Sequence, residues 1–287
     1  MREKNSNSVQ RPSASDIVSA FAVPLLGAAL YYSVQFFVIV AFSLLLKRDV
    51  IAYSGTISLI YGLILLVVFC FAVYLTNLKN PKTIPFKRMS ITDIGLGTFF
   101  ALGLIGISTI YFISIQILSQ YIGTISEAIN DYVEMVSIQS KLSNRETVLF
   151  SVATVIFIPV IEELLFRGLI QGSFMKVLRP IPAIILSSLI FGLIHVQPIQ
   201  VGYAFICGLA IGSVYYLSGN ILVSIWVHLV FNFFGSAVVT LFGDQIALLT
   251  WIERIELISI GIVAGSLVYY YRKKKSNSDG ALNEAKS

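Results

Sequence analysis

Charge is scarce in this chain. Asp, Glu, Lys and Arg make up 12% of its 287 residues, whereas a soluble domain carries about 25%. No long polar stretch exists in which a separate soluble domain could sit. Cysteine is nearly absent: Cys70 and Cys207 are the only two, both inside apolar runs and neither in a CxxC pair. A disulfide framework and a cysteine-based metal site are thereby excluded, leaving both as small buried apolar fillers. Histidine is as rare, limited to His195 and His228. There is no internal repeat, and no low-complexity segment apart from the polar tail after Arg272. What fills the chain is apolar, with 56% hydrophobic residues and a mean hydropathy of +0.85. Its solvent is lipid.

The net charge of +5 and pI near 9.1 raise nucleic acid as a partner, but the placement of the charges argues against it. Arg272-Lys273-Lys274-Lys275 follows directly on an apolar run, as does Lys47-Arg48. Basic residues in that position anchor and orient membrane spans, so the expected partner is the lipid bilayer, with no nucleic acid. The polar stretch Met1 to Asp16 leads into a run too long for a cleaved signal peptide.

An apolar run of about 20 residues crosses the hydrocarbon core as a helix. Eight are read here: 17–46, 50–76, 94–118, 147–171, 181–197, 199–217, 220–242 and 255–271. The expected fold class is all-α, a polytopic transmembrane bundle of about eight helices. With cytoplasmic termini, the inner connections hold Arg2, Lys4, Arg11, Lys79, Lys82, Lys87, Arg88, Lys176, Arg179, Arg272, Lys273, Lys274, Lys275 and Lys286. The outer ones hold Lys47, Arg48, Lys141, Arg145 and Arg254. Fourteen against five predicts both termini in the cytoplasm of a multi-pass cell-membrane protein. Between the third and fourth runs, Ile125, Ala128, Ile129, Tyr132, Val133 and Val136 recur at helical spacing, opposite Glu127, Asp131 and Glu134. That pattern predicts an amphipathic helix on the membrane surface, an anchor or a lid.

An ionisable side chain inside a span is costly and marks a functional site by default. Here such residues gather in three stretches: Glu162, Glu163 and Arg167 in the fourth run, His195 in the fifth and His228 in the seventh. Glu163 and Arg167 are four apart with the acid first, the favourable order for a helical ion pair, and that pairing reads as structural. Glu162 lies about 100° around the helix, has no partner on its own helix and suits a general base. Pro159, one turn earlier, removes a backbone hydrogen bond and predicts a kink. Phe191 and His195 share the i,i+4 spacing, which lays the phenyl ring against the imidazole. His228 and Asn232 share it too, which makes the Asn232 amide a candidate oxyanion donor. From the cytoplasmic ends, Glu162 and His195 lie about 21 Å deep and Asn232 about 18 Å, so the groups can meet at one level.

The segments Glu162-Glu163-Leu-Leu-Phe-Arg167, Phe191-Gly-Leu-Ile-His195 and His228-Leu-Val-Phe-Asn232 resemble the motifs EExxxR, FxxxH and HxxxN of the CPBP family. That family includes Rce1-type CAAX prenyl endopeptidases, Abi proteins and bacteriocin-processing or immunity proteins. The resemblance spans about residues 146–237. It implies an all-helical intramembrane endopeptidase acting on a peptide or protein in or at the membrane. Glu162 and His195 would activate a water, and His228 and Asn232 would stabilise the oxyanion. Glu163, Arg167 and Phe191 would support them. The chain then divides into N-terminal spans with the interfacial helix (1–145), a catalytic core (146–237), and a last span with a basic cytoplasmic tail (238–287).

Two rival readings use the same residues. Glu162, His195 and His228 make a His2Glu set, a known catalytic zinc shell, although no HExxH is present. The expected cofactor is none, with zinc as the alternative. The other rival is a non-catalytic bacteriocin self-immunity protein. A serine or two-aspartate intramembrane protease finds no matching residues, and a transporter would show repeat symmetry that is absent.

Overall fold

The computed structural model describes residues 12–284 except 82 and 140. Arg2, Lys4, Arg11, Lys82 and Lys286 therefore lie outside the described residues. Among those described, every regular element is helical, and nine helices follow in order. They are α1 (Ala14–Leu45), α2 (Ser54–Lys79), α3 (Ile91–Ser119), α4 (Gly123–Gln139), α5 (Asn144–Phe174), α6 (Pro180–Leu193), α7 (Pro198–Ser218), α8 (Ile221–Phe242) and α9 (Ile246–Glu284).

Local chemistry sets the starts. Ser13 and Ser90 open α1 and α3 with capping boxes, each hydroxyl accepting from the N–H of Asp16 or Asp93 while that carboxylate accepts from the serine N–H. Ser143 caps α5 through the N–H of Glu146. Between α7 and α8 the chain reverses at Gly219, whose φ of 57° costs glycine little. Buried Asn220 beside it accepts from the N–H of Leu222 and Lys87 and donates to the Lys87 carbonyl. The α2–α3 connection is thus tied to this turn.

Six helices are long and apolar enough to cross a membrane: α1, α2, α3, α5, α7 and α8. Two of the eight expected spans look different in the structure. α6 has only 14 residues, a rise of about 21 Å, short of a hydrocarbon core of about 30 Å. It stops at Leu193 because the chain turns through 194–197 into Pro198, the first residue of α7. α9 is 39 residues long, starts earlier at a stretch bearing Glu253, Arg254 and Glu256, and continues past the basic cluster. That cluster does more than meet a surface. Lys273 pairs with Asp93 of α3 at 3.3 Å, and Lys274 donates to the Tyr216 carbonyl of α7 at 2.7 Å.

Helix α5 sits in the middle. Its Leu164, Leu165, Phe166 and Ile170 pack with Leu65 and Phe69 of α2, Phe191 of α6 and Ile225 of α8. A second core joins Phe100 and Leu104 of α3 to Ile211 of α7, Val227 of α8 and Tyr270 of α9. Gly103 and Gly106 let α3 approach α9 so closely that a Cβ would strike the backbone of Ser259 or Glu256. The outer surface is apolar: Phe21 is 74% and Val67 70% exposed, as a lipid-facing wall requires. Cys207 is buried as expected, but Cys70 is on the outer surface.

Four stretches wind more widely than an α-helix, as π turns: Ala41–Leu45, Ala153–Phe157, Glu163–Gln171 and Phe233–Ala237. α5 stays helical through Pro159, the missing N–H being accommodated just after the wide turn Ala153–Phe157. α4 is amphipathic as expected and lies against α3 and α7. Its inward stripe is rotated slightly, with Met135 turned in and Val133 left 58% exposed.

Candidate active site

α5 presents Glu162 and Glu163 where its α-helical turn Ile158–Glu162 passes into the wide segment Glu163–Gln171. Such segments are rare and frequent at functional sites. Both carboxylates are buried and both meet His228 of α8. Glu163 Oε1 lies 2.8 Å from His228 Nδ1, and Glu162 Oε2 lies 3.6 Å from His228 Nε2. A carboxylate held by a cation only accepts, so Nδ1 carries the hydrogen directed at Glu163. The Nε2 edge of the ring is left toward Glu162.

Glu163 Oε1 also lies 3.2 Å from Arg167 Nη1. The charges are close, yet the contact is not aligned as a hydrogen bond, and Arg167 Nη1 has no hydrogen-bond partner among the described residues. In a wide segment residues four apart no longer stack directly. Arg167 is held elsewhere as well. Its Nη2 donates to the Gly208 carbonyl of α7 at 3.4 Å, and the guanidinium lies over the Phe191 ring at 4.7 Å. The expected Glu163–Arg167 pair forms, and Glu163 grips His228 as well. Spacing along one helix reports only neighbours on that helix, and His228 arrives from another.

His195 follows the last turn of α6. Its Nδ1 is 2.8 Å from the Phe191 carbonyl, one of the carbonyls left over where the helix ends. A carbonyl can only accept, so Nδ1–H donates and Nε2 is the acceptor of the ring. The spacing of Phe191 and His195 thus works through the Phe191 backbone. The two rings meet edge-on, 5.1 Å apart at 74°. Next in the chain, Val196 adopts φ 61°, a left-handed conformation uncommon for a β-branched residue and typical of constrained sites. Tyr32 of α1 donates its hydroxyl hydrogen to the Ile194 carbonyl.

Asn232 ends the regular part of α8 and donates Nδ2–H to the Thr154 carbonyl at 2.8 Å. Thr154 lies in the wide turn of α5, where i→i+5 winding frees a carbonyl for such a partner.

These groups border one cavity of about 370 Å³. Glu162, Phe191, His195, His228 and Asn232 all line it, while Glu163 and Arg167 stand behind, among residues 0% and 1% exposed. Tyr132 and Met135 of α4 close one side, and Gln197 Nε2 donates to the Ala128 carbonyl at 2.9 Å, tying α4 to the turn after His195. Thr154, Gln200 and Tyr203 also line the cavity. No motif in the sequence pointed to them, whereas the amphipathic pattern pointed to Tyr132. As arranged, the side chains do not fit a zinc ion: among the described residues no group of three or more His, Cys, Asp or Glu can hold a metal. The Nδ1–H of each histidine is engaged, by Glu163 and by the Phe191 carbonyl, so a metal would have to take Nε2 of each ring.

The fold and site together define a polytopic helical membrane protein with a carboxylate–imidazole cluster buried in its bundle. Residues 144–234 match the model of the family described as Type II CAAX prenyl endopeptidase, Rce1-like. This stretch, which runs from α5 into α8, is a domain of that family, and the family is one of peptidases. No curated protein and no solved structure matches the chain.

Proposed function

We propose that the chain is an intramembrane endopeptidase that hydrolyses a peptide bond of a membrane-associated peptide or protein with a water activated by Glu162 and His195. The observation that carries this reading is one cavity bordered by two carboxylate-facing or carbonyl-anchored histidines, a buried glutamate and an amide donor. His195 Nε2 and the Glu162 carboxylate are the acceptors that take a proton from water as it adds to the scissile carbonyl. His228 Nε2, when protonated, and the second Nδ2 hydrogen of Asn232 donate to the resulting oxyanion. Collapse of the tetrahedral intermediate expels the amine, which takes up the proton removed from water. Glu163, Arg167 and Phe191 hold His228 and His195 in place. No metal takes part in these steps.

The same reading sets the chain in the cell membrane with eight crossings and both termini in the cytoplasm, α6 and α9 being the two additional spans and the bilayer thinning locally over the short α6. Basic residues of the described inner connections, among them Lys79, Lys87, Arg88, Lys176 and Arg179, support that orientation. Helices α5 to α8 form the catalytic core (146–237), flanked by the N-terminal spans (1–145) and the C-terminal span and tail (238–287). The test is Glu162→Ala in full-length protein purified in lipid nanodiscs. Its helical content and melting should match the wild type while cleavage of a peptide pool disappears. Full cleavage by folded Glu162→Ala protein sinks Glu162 as the base, whereas no cleavage by the wild type sinks the peptidase reading and favours a binding role such as immunity.

A further inference from the structure

A second cavity, about 330 Å³, adjoins the first. Asn232, Tyr132 and Tyr203 border both. Its far wall is Glu256 of α9, which lies outside the family domain. Glu256 is only 7% exposed, and among the described residues its carboxylate has neither a hydrogen bond nor an ion pair. A carboxylate left alone in an apolar bundle is costly and marks a site rather than a packing element.

The rest of the lining has one character. Ser108 and Thr109 donate their hydroxyl hydrogens to the carbonyls of Leu104 and Ile105, which leaves oxygen lone pairs as acceptors. Phe112, Tyr132 and Tyr203 bring aromatic rings, whose faces attract cations. Among the described residues, no Lys, Arg or His lines the chamber. Carboxylate, acceptors and rings together suit a positive charge and oppose a negative one.

We propose that this second chamber is a specificity subsite in which Glu256 receives the cationic side chain, Lys or Arg, of a substrate residue flanking the scissile bond. The shared wall at Asn232 lets a peptide place its carbonyl in the first cavity and a neighbouring side chain in the second. This inference rests on the peptidase reading, so binding and cleavage are measured apart. Full-length protein in nanodiscs is given acylated peptides in sets, each fixing one position as Lys, Arg, norleucine or Glu. Binding is measured on Glu162→Gln protein and cleavage on protein with Glu162 intact. Sets carrying Lys or Arg at one position should bind about tenfold more tightly than the norleucine sets, the increment of a charged hydrogen bond. Glu256→Gln should bring that ratio close to one, and Glu256→Asp should keep most of it. Should Glu256→Gln fail to fold, Phe112→Leu on the opposite wall should lower the ratio severalfold. Equal binding of Lys and norleucine sets overturns the proposal, as does a preference that persists in Glu256→Gln or the absence of binding by any set. Preferential binding of cationic sets without any cleavage refutes the peptidase reading alone.

Discussion

His228 gives its Nδ1–H to Glu163 Oε1 across 2.8 Å, from α8 to α5. Glu163 Oε1 also faces Arg167 at 3.2 Å, so the histidine and the guanidinium converge on one buried carboxylate oxygen. The arrangement fixes the ring tautomer and presents Nε2 to the cavity beside Glu162. Two histidines, one on α8 and one in the turn after α6, are thereby prepared alike: each has Nδ1 anchored, one by a carboxylate and one by a carbonyl, and each keeps Nε2 for chemistry.

The first prediction concerns that anchor. Glu163→Gln retains a carbonyl oxygen for Nδ1–H but loses the charge that stabilises a protonated ring. The kcat for peptide cleavage should fall by about 10²-fold, with a smaller change in KM. Glu163→Ala should act on the fold as well, because it strands Arg167 in the bundle at a cost of about 3–5 kcal/mol. Thermal unfolding in detergent compares the two variants. A Glu163→Gln protein with full kcat refutes the orienting role.

Asn232 yields the second prediction. One Nδ2 hydrogen is committed to the Thr154 carbonyl, leaving the other for an oxyanion. Asn232→Asp removes both donors at nearly constant shape and brings a second acceptor toward Glu162. Its kcat should drop by about 10²–10³-fold, while substrate binding to the folded variant persists. If binding is lost in proportion to kcat, Asn232 positions substrate and does not act on the transition state.

Some of this was legible in the sequence and some was not. Apolar run length gave the positions of α1, α2, α3, α5, α7 and α8, because a span is a one-dimensional property. It overran α6, which ends at Leu193 where the chain turns toward Pro198, and fell short of α9, whose helix continues beyond the apolar stretch. The motif residues were legible because charge is rare in lipid and every instance stands out. Their partnerships were not. The Glu163–His228 bond joins residues 65 apart, and the wide winding at Glu163–Gln171 changes the angle between neighbours that α-helical geometry assumes. Thr154 was invisible because it contributes a backbone carbonyl, which no side-chain pattern encodes.

A third prediction tests α4 as a cover. The link from Gln197 Nε2 to the Ala128 carbonyl is one of few polar ties between α4 and the helices beneath it. Gln197→Glu keeps an oxygen to cap α7 at the Gln200 N–H but puts a second acceptor against Ala128. Hydrogen exchange should quicken across 123–139, reflecting about 1 kcal/mol of lost tethering, with α7 unaffected. Should exchange in 123–139 stay unchanged, the helix is held by its apolar face alone, and Gln197 is no latch.

The last prediction separates water activation by Glu162 and His195 from a zinc-bound water. A zinc shell needs neutral imidazole or carboxylate lone pairs converging on one point. Glu163 and the Phe191 carbonyl hold Nδ1–H of His228 and His195, so only Nε2 of each ring could ligate zinc, and among the described residues no three His, Cys, Asp or Glu side chains converge to hold one. Protein stripped with a membrane-permeant chelator and shown by elemental analysis to be free of zinc should keep its full kcat. Added zinc should inhibit, because an ion between Glu162 and His195 occupies the place of the attacking water. Loss of activity on stripping, with recovery at one equivalent of zinc, would instead mean that Glu162 and Nε2 of both histidines close on a metal in the working enzyme. In that case Glu163→Gln should weaken zinc binding by about 10–100-fold, because the ligating imidazole loses its carboxylate partner, whereas the metal-free mechanism expects no such dependence.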